Sequence, residues 1–284
     1  MHLFDSHVHV VHGDAEAYPR RPLAVDHHSV AAQWYEAPGL ATEDLVARMD
    51  AAGVARAALV QVVSLYGTDN RYVAESVARF PDRFVGVGAV DPGAADVEDQ
   101  VAAGVADGLA AFRLYYLDGA PTPGDPGVAR VWQACADHGA SLTVTVLHPE
   151  LDWLVAASRA RPEVAVALEH LGMPGRTGLR APEVLDLLAP VAGLDQVVLK
   201  YSNMNLATLD GGVEAAPRLV AAVVETFGAD RLAWGSNHPA TADPPYDELV
   251  AQGRASVAAL SPADQATVLG GTAEHLWGAA AERA

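Results

Sequence analysis

The sequence predicts an α/β fold, a single (β/α)8 barrel of the TIM type, and a few observations carry that prediction. Eight short runs rich in Val, Leu and Ala recur along the chain, at 2–9, 57–63, 84–91, 108–116, 140–147, 164–172, 197–203 and 231–237. Helical patterns lie between most of them, and strands alternating with helices imply a parallel sheet. A chain of 284 residues, 51% of them hydrophobic, suits one barrel better than two small domains.

The first run ends in Phe4-Asp5-Ser6-His7-Val8-His9 and is followed by a polar, proline-bearing insertion at 14–39 that contains Trp34 and Tyr35. The helix expected next covers Thr42 to Ala52, with Thr42 as its cap and Gly53 as its stop. Run 57–63, Ala57-Ala58-Leu59-Val60-Gln61-Val62-Val63, is nearly continuous in apolar character, as a strand covered on both faces should be. Run 108–116 carries Arg113 and Tyr115 and precedes a second insertion at 118–127. Runs 140–147 and 164–172 lead to His148 and His170, run 197–203 contains Lys200, and run 231–237 leads into Asn237 and His238. In a barrel, both insertions would rise at the C-terminal mouth and line a pocket. No linker or low-complexity tract interrupts this order, so residues 1–284 read as one domain.

Acidic residues outnumber basic ones 36 to 18, for a formal charge of −18, and there is no basic run. Such a surface repels nucleic acid and anionic lipid, which excludes both as expected partners. One cysteine, Cys135, cannot form an intramolecular disulfide, and neither a signal-like segment nor a membrane-length apolar stretch is present. The expectation is a cytoplasmic protein acting on a small molecule, with a homodimer as the expected assembly.

Residues two apart on a strand face the same side, so His7 and His9 can converge on one object, and paired imidazoles suit a divalent metal. His148 and His170 fall at the ends of the fifth and sixth strands, where barrels collect functional residues. Lys200, the only lysine in the chain, either holds an anionic substrate or pairs with a neighbouring acid such as Glu169. Arg113 offers a planar fork for a substrate carboxylate, with a structural salt bridge as the competing use. Trp34 and Tyr115 are candidates for the pocket lining.

Taken in order, several motifs resemble the amidohydrolase superfamily, in its amidohydrolase-related branch of barrel lactonases and decarboxylases. They are Phe4–His9, Met49-Asp50-Ala51-Ala52-Gly53-Val54, Tyr66–Tyr72, Phe80–Phe84, Glu169-His170-Leu171-Gly172-Met173-Pro174, Val198–Ser202 and Arg231–Pro239. The resemblance spans nearly the whole chain. It implies His7 and His9 as metal ligands, His148 as a ligand or substrate contact, and His170 as a ligand or the residue that orients water. The ion implied is zinc, with manganese, or no metal at all, as the alternatives. At the eighth strand, relatives commonly carry an aspartate, and some an asparagine, where this chain has Gly235-Ser236-Asn237-His238-Pro239. Asn237 cannot act as a base, a role worth about 10² to 10⁴ in rate, which leaves His170 or His238 to manage the proton. The expected activity is hydrolysis of a small cyclic ester, a lactone, or a related carboxylated substrate. Metal-dependent decarboxylation and a non-hydrolytic binding barrel are the alternatives.

Overall fold

The computed structural model describes residues 2–20, 39–116, 125–146, 151–172, 178–239 and 244–281. Eight parallel strands run in sequence order: β1 (Phe4–Val8), β2 (Arg56–Val60), β3 (Phe84–Ala89), β4 (Leu109–Tyr116), β5 (Ser141–Val146), β6 (Val166–Leu168), β7 (Val197–Ser202) and β8 (Leu232–Gly235). The longer helices between and after them are α1 (Thr42–Ala52), α2 (Arg71–Arg79), α3 (Val97–Ala106), α4 (Pro126–His138), α5 (Leu151–Ala160), α6 (Ala181–Leu188), α7 (Ala216–Phe227), α8 (Tyr246–Ser256) and α9 (Thr272–Ala281). This is a single (β/α)8 TIM barrel, as the eight apolar runs predict.

Closure comes from β8 returning to β1. The Asn237 amide donates to the His7 carbonyl at 2.7 Å, the His9 amide donates to the His238 carbonyl at 2.8 Å, and Val8 bridges His238 in parallel. Glycine is required at that seam: a Cβ on Gly235 would lie 2.7 Å from the His7 Cβ, inside van der Waals contact. The closing chain end is therefore also what brings Asn237 and His238 beside the first-strand histidines.

Inside, the barrel changes character along its axis. Phe4, Ala58, Val85, Ala111 and Ala167 form an apolar cluster that Trp277 of α9 joins, its indole N–H donating to Ser141 Oγ at the start of β5. That plug fills the N-terminal end. Toward the C-terminal ends of the strands the buried residues become polar: His7, His9, Gln61, Arg113, Thr145, Glu169 and Lys200. Such groups are expensive to bury unless they bond one another, and here they form one network.

Two local readings change. Thr42 does not cap α1; the cap position is Ala41, and Thr42 instead bonds Tyr72 Oη and Ser76 Oγ on α2. The helix stops at Gly53 as expected, at φ 70°. The sixth run is extended only to Leu168, because His170 and Leu171 take left-handed φ of 51° and 52°. Two consecutive non-glycine residues in that region store strain, which the surrounding bonds must hold in place.

Candidate active site

The left-handed turn after β6 places Glu169 and His170 at the barrel mouth. The turn is clamped from the short helix that follows β7, Asn203–Ala207: Asn205 Nδ2 donates to the His170 carbonyl at 2.8 Å, and its Oδ1 accepts from the Ser202 amide at 3.0 Å. Ser202 Oγ lies 2.9 Å from His170 Nδ1, which leaves Nε2 to face outward chemistry. The His7 ring centroid is 4.7 Å from that of His170 and 4.9 Å from that of His9, so three imidazoles share one space.

Glu169 is fully buried and held on several sides. Its Oε2 accepts from Arg113 Nε at 2.8 Å and Nη2 at 2.7 Å, and from the Thr145 hydroxyl. Among the described residues its Oε1 has no hydrogen-bond partner, but it lies 3.6 Å from both Lys200 Nζ and His7 Nδ1. Arg113 is committed here: besides Glu169 it donates to the Gln61 carbonyl at 3.2 Å and to Thr145 Oγ1 at 3.1 Å, and it stacks 4.6 Å over the Tyr115 ring. Lys200 Nζ is 3.0 Å from His7 Nδ1 and 5.5 Å from the Trp277 ring centroid.

Tautomers follow from what each partner can do. An ammonium only donates, so His7 Nδ1 accepts and a neutral His7 carries its proton on Nε2. A carbonyl only accepts, so His9 Nδ1, 2.7 Å from the Val60 carbonyl, carries the proton and Nε2 presents a lone pair. Asn237 stands 3.3 Å from that lone pair through Oδ1; the amide NH₂ on the other arm of the same side chain is its complement. Asn237 itself takes φ 60°, a region asparagine tolerates better than most residues.

Burial keeps these imidazoles neutral. His9 is pushed down to about 4 by burial and then by the Arg113 charge; His170 is pushed down to about 3 by burial, with Arg113 and Lys200 adding to it against Glu169. His7 lies well below its ordinary value for the same first reason, with Lys200 next. Burial lowers Lys200 to about 8, with Glu169 the main influence opposing it. For Glu169 burial would raise the pKa, but Arg113 and Lys200 prevail and it falls to about 2. The site is thus a carboxylate between two cations, surrounded by neutral histidines.

His7, Glu169 and His170 each offer an atom within 4.8 Å of the others, a donor set that fits a divalent ion in type and spacing. The buried Glu169 Oε1, without a hydrogen-bond partner among the described residues, agrees with that fit. One competitor stands in the way: a neutral imidazole has a single lone pair, and Lys200 already uses that of His7.

The structure brings together His7, His9, His170, Lys200, Arg113, Tyr115, Asn237 and His238 from the residues singled out in the sequence, while His148 and Trp34 lie outside the described residues. Sequence reasoning missed Thr145, Ser202 and Asn205 as supports, and it missed Arg48, whose Nη1 is 2.9 Å from His238 Nε2. Nothing in the pattern around Arg48 marks it, since it sits on a helix 190 residues from its partner.

Among the described residues no helix is long and apolar enough to cross a membrane. No curated protein matches the chain in sequence. Solved structures do resemble it. A protein of Pseudomonas putida provisionally assigned as a 2-pyrone-4,6-dicarboxylic acid hydrolase is 24% identical, with 98% of this chain and 97% of that one covered at a TM-score of 0.79. An amidohydrolase of Burkholderia multivorans with bound zinc is 22% identical, covering 98% and 99% at a TM-score of 0.80. The 5-carboxyvanillate decarboxylase of Sphingomonas paucimobilis is 16% identical, covering 98% and 99% at 0.69. At these identities the similarity shows a shared barrel. Membership comes from the amidohydrolase family model, which matches residues 4–279, almost the full barrel with its first-strand and eighth-strand motifs: the chain belongs to the amidohydrolase family.

Proposed function

We propose that the protein hydrolyses a small carboxylated cyclic ester, a lactone, at the mouth of its barrel. The observation that carries this reading is the fixed Lys200 ammonium among neutral imidazoles, 3.0 Å from His7 Nδ1 and 3.6 Å from Glu169 Oε1. Ester hydrolysis passes through a tetrahedral oxyanion, and a cation already in position stabilises it without reorganisation. Neutral His170, oriented by Ser202 through Nδ1, supplies at Nε2 a group that can take the proton of attacking water. Arg113 holds Glu169, and Glu169 in turn holds Lys200 in place. The Pseudomonas putida relative, with its pyrone dicarboxylate assignment, supports the substrate class.

A divalent ion held by His7, Glu169 and His170 would polarise the ester carbonyl and acidify water. The contacts of Lys200 with His7 and Glu169, and of Asn237 with His9, support roles in opposing oxyanion charge and in holding His9. The test is the Lys200→Met variant against 2-pyrone-4,6-dicarboxylate and a panel of five- and six-membered lactones. Loss of about 10² to 10³ in kcat with intact folding is expected for removal of one oxyanion-stabilising group. Unchanged kcat removes Lys200 from the chemistry and the reading with it.

A further inference from the structure

His238 follows directly on Asn237 and is 5% exposed. Its ring is fixed by two neighbours: Arg48 Nη1 stands 2.9 Å from Nε2, and the Tyr246 ring packs against it at 5.1 Å between centroids. Tyr246 is itself anchored, its hydroxyl donating to Asp5 Oδ2 at 3.1 Å, while Asp5 Oδ1 accepts from the His7 and Ser236 amides at 3.1 and 2.8 Å. The His238 amide donates to Ser236 Oγ at 3.1 Å, and its carbonyl accepts from the His9 amide, so the residue is pinned beside the first-strand histidines.

A guanidinium has donors and no acceptor. The Arg48 contact therefore requires Nε2 to accept, which places the one ring proton of a neutral His238 on Nδ1. That Nδ1–H is buried and has no hydrogen-bond partner among the described residues. Native structures rarely leave a buried donor unpaired, because its lost hydration is not recovered. The same argument removes His238 as a general base, since its lone pair is already engaged.

We infer that Arg48 locks His238 as a donor through Nδ1–H to an oxygen of the substrate, a carbonyl or carboxylate oxygen of the anionic ester. The inference deepens the hydrolase reading and rests on it for the identity of the substrate. His238 touches substrate; Arg48 acts through it as a positioning residue.

The experiment uses the full chain with ¹⁵N-labelled histidine. Long-range ¹H–¹⁵N correlation spectra assign the His238 tautomer in wild type, Arg48→Met and Arg48→Lys, with and without 2-pyrone-4,6-dicarboxylate. Expected are a proton on Nδ1 in wild type, movement of it toward Nε2 in Arg48→Met, and recovery in Arg48→Lys. Adding the pyrone dicarboxylate should shift the Nδ1–H resonance. In kinetics, His238→Asn keeps an N–H near the Nδ1 position and His238→Gln does not. The glutamine variant should therefore lose about 10- to 100-fold in kcat/KM relative to the asparagine variant, the range for one lost hydrogen bond to a charged group. A wild-type proton on Nε2, or an Nδ1–H that stays put at millimolar pyrone dicarboxylate, overturns the inference. A shifted Nδ1–H without ring opening leaves it standing and removes the hydrolase reading.

Discussion

Replacing Glu169 by Gln leaves the shape of the site almost unchanged and deletes the one negative charge between Arg113 and Lys200. Both cations are buried, at 2.7 Å and 3.6 Å from the carboxylate, and neither has another acid within ion-pair distance among the described residues. Removing one partner of such a buried pair typically destabilises by about 3 to 5 kcal/mol. For a chain of 284 residues, at about 2.1 cal/mol/K of unfolding entropy per residue, the entropy at the midpoint is about 0.6 kcal/mol/K. The expected fall in Tm is thus about 5 to 8 °C, read by calorimetry near neutral pH. The deficit should also depend on pH with a definite sign. In wild type Lys200 titrates at about 8 with Glu169 holding it up, so the variant's lysine titrates lower. Between those two values the variant's folded state binds fewer protons than the wild type's, and its relative stability rises as pH rises through that window. A variant that melts within about 1 °C of wild type, or whose deficit grows toward alkaline pH, would refute the charge assignment.

Three other perturbations read different parts of the site. In Asn237→Asp, a carboxylate would face the His9 Nε2 lone pair across 3.3 Å; NMR titration should find His9 protonating well above its present value of about 4, and turnover at neutral pH should fall. A gain of about 10² or more in hydrolysis would instead identify a disabled base at this position. Lys200→Met frees the His7 lone pair and removes a positive charge, so zinc or manganese, measured by calorimetric titration, should bind at least about tenfold more tightly than to wild type; equal affinity would show that ion and ammonium do not compete. Asn205→Ala unclamps the left-handed turn at His170, and hydrogen exchange at residues 169–172 should accelerate before global unfolding; unchanged protection would place the restraint elsewhere.

The barrel was legible because each strand is covered on both faces, so near-continuous apolar runs such as Ala57–Val63 announce themselves without a partner. The first-strand histidines were legible for a related reason: a two-residue spacing on a strand fixes a shared side. What the runs could not reveal was the turn after Leu168, where a left-handed backbone swings His170 out of strand register, because that conformation is held by Asn205 from the next unit. The choice between carboxylate clamp and salt bridge for Arg113 was equally hidden, since the partner, Glu169, lies two strands away and meets Arg113 only when the sheet curls. Arg48 shows the limit most clearly. It lies on an ordinary amphipathic helix, and only the closure of β8 onto β1 brings His238 within 2.9 Å of it.

The most direct test of the central claim is to follow acid release and CO₂ release together while wild-type protein acts on 2-pyrone-4,6-dicarboxylate and the lactone panel. Opening of a lactone ring with one proton released per turnover and no CO₂ is the predicted result. CO₂ without ring opening, or neither product from well-folded protein across the panel, would contradict it.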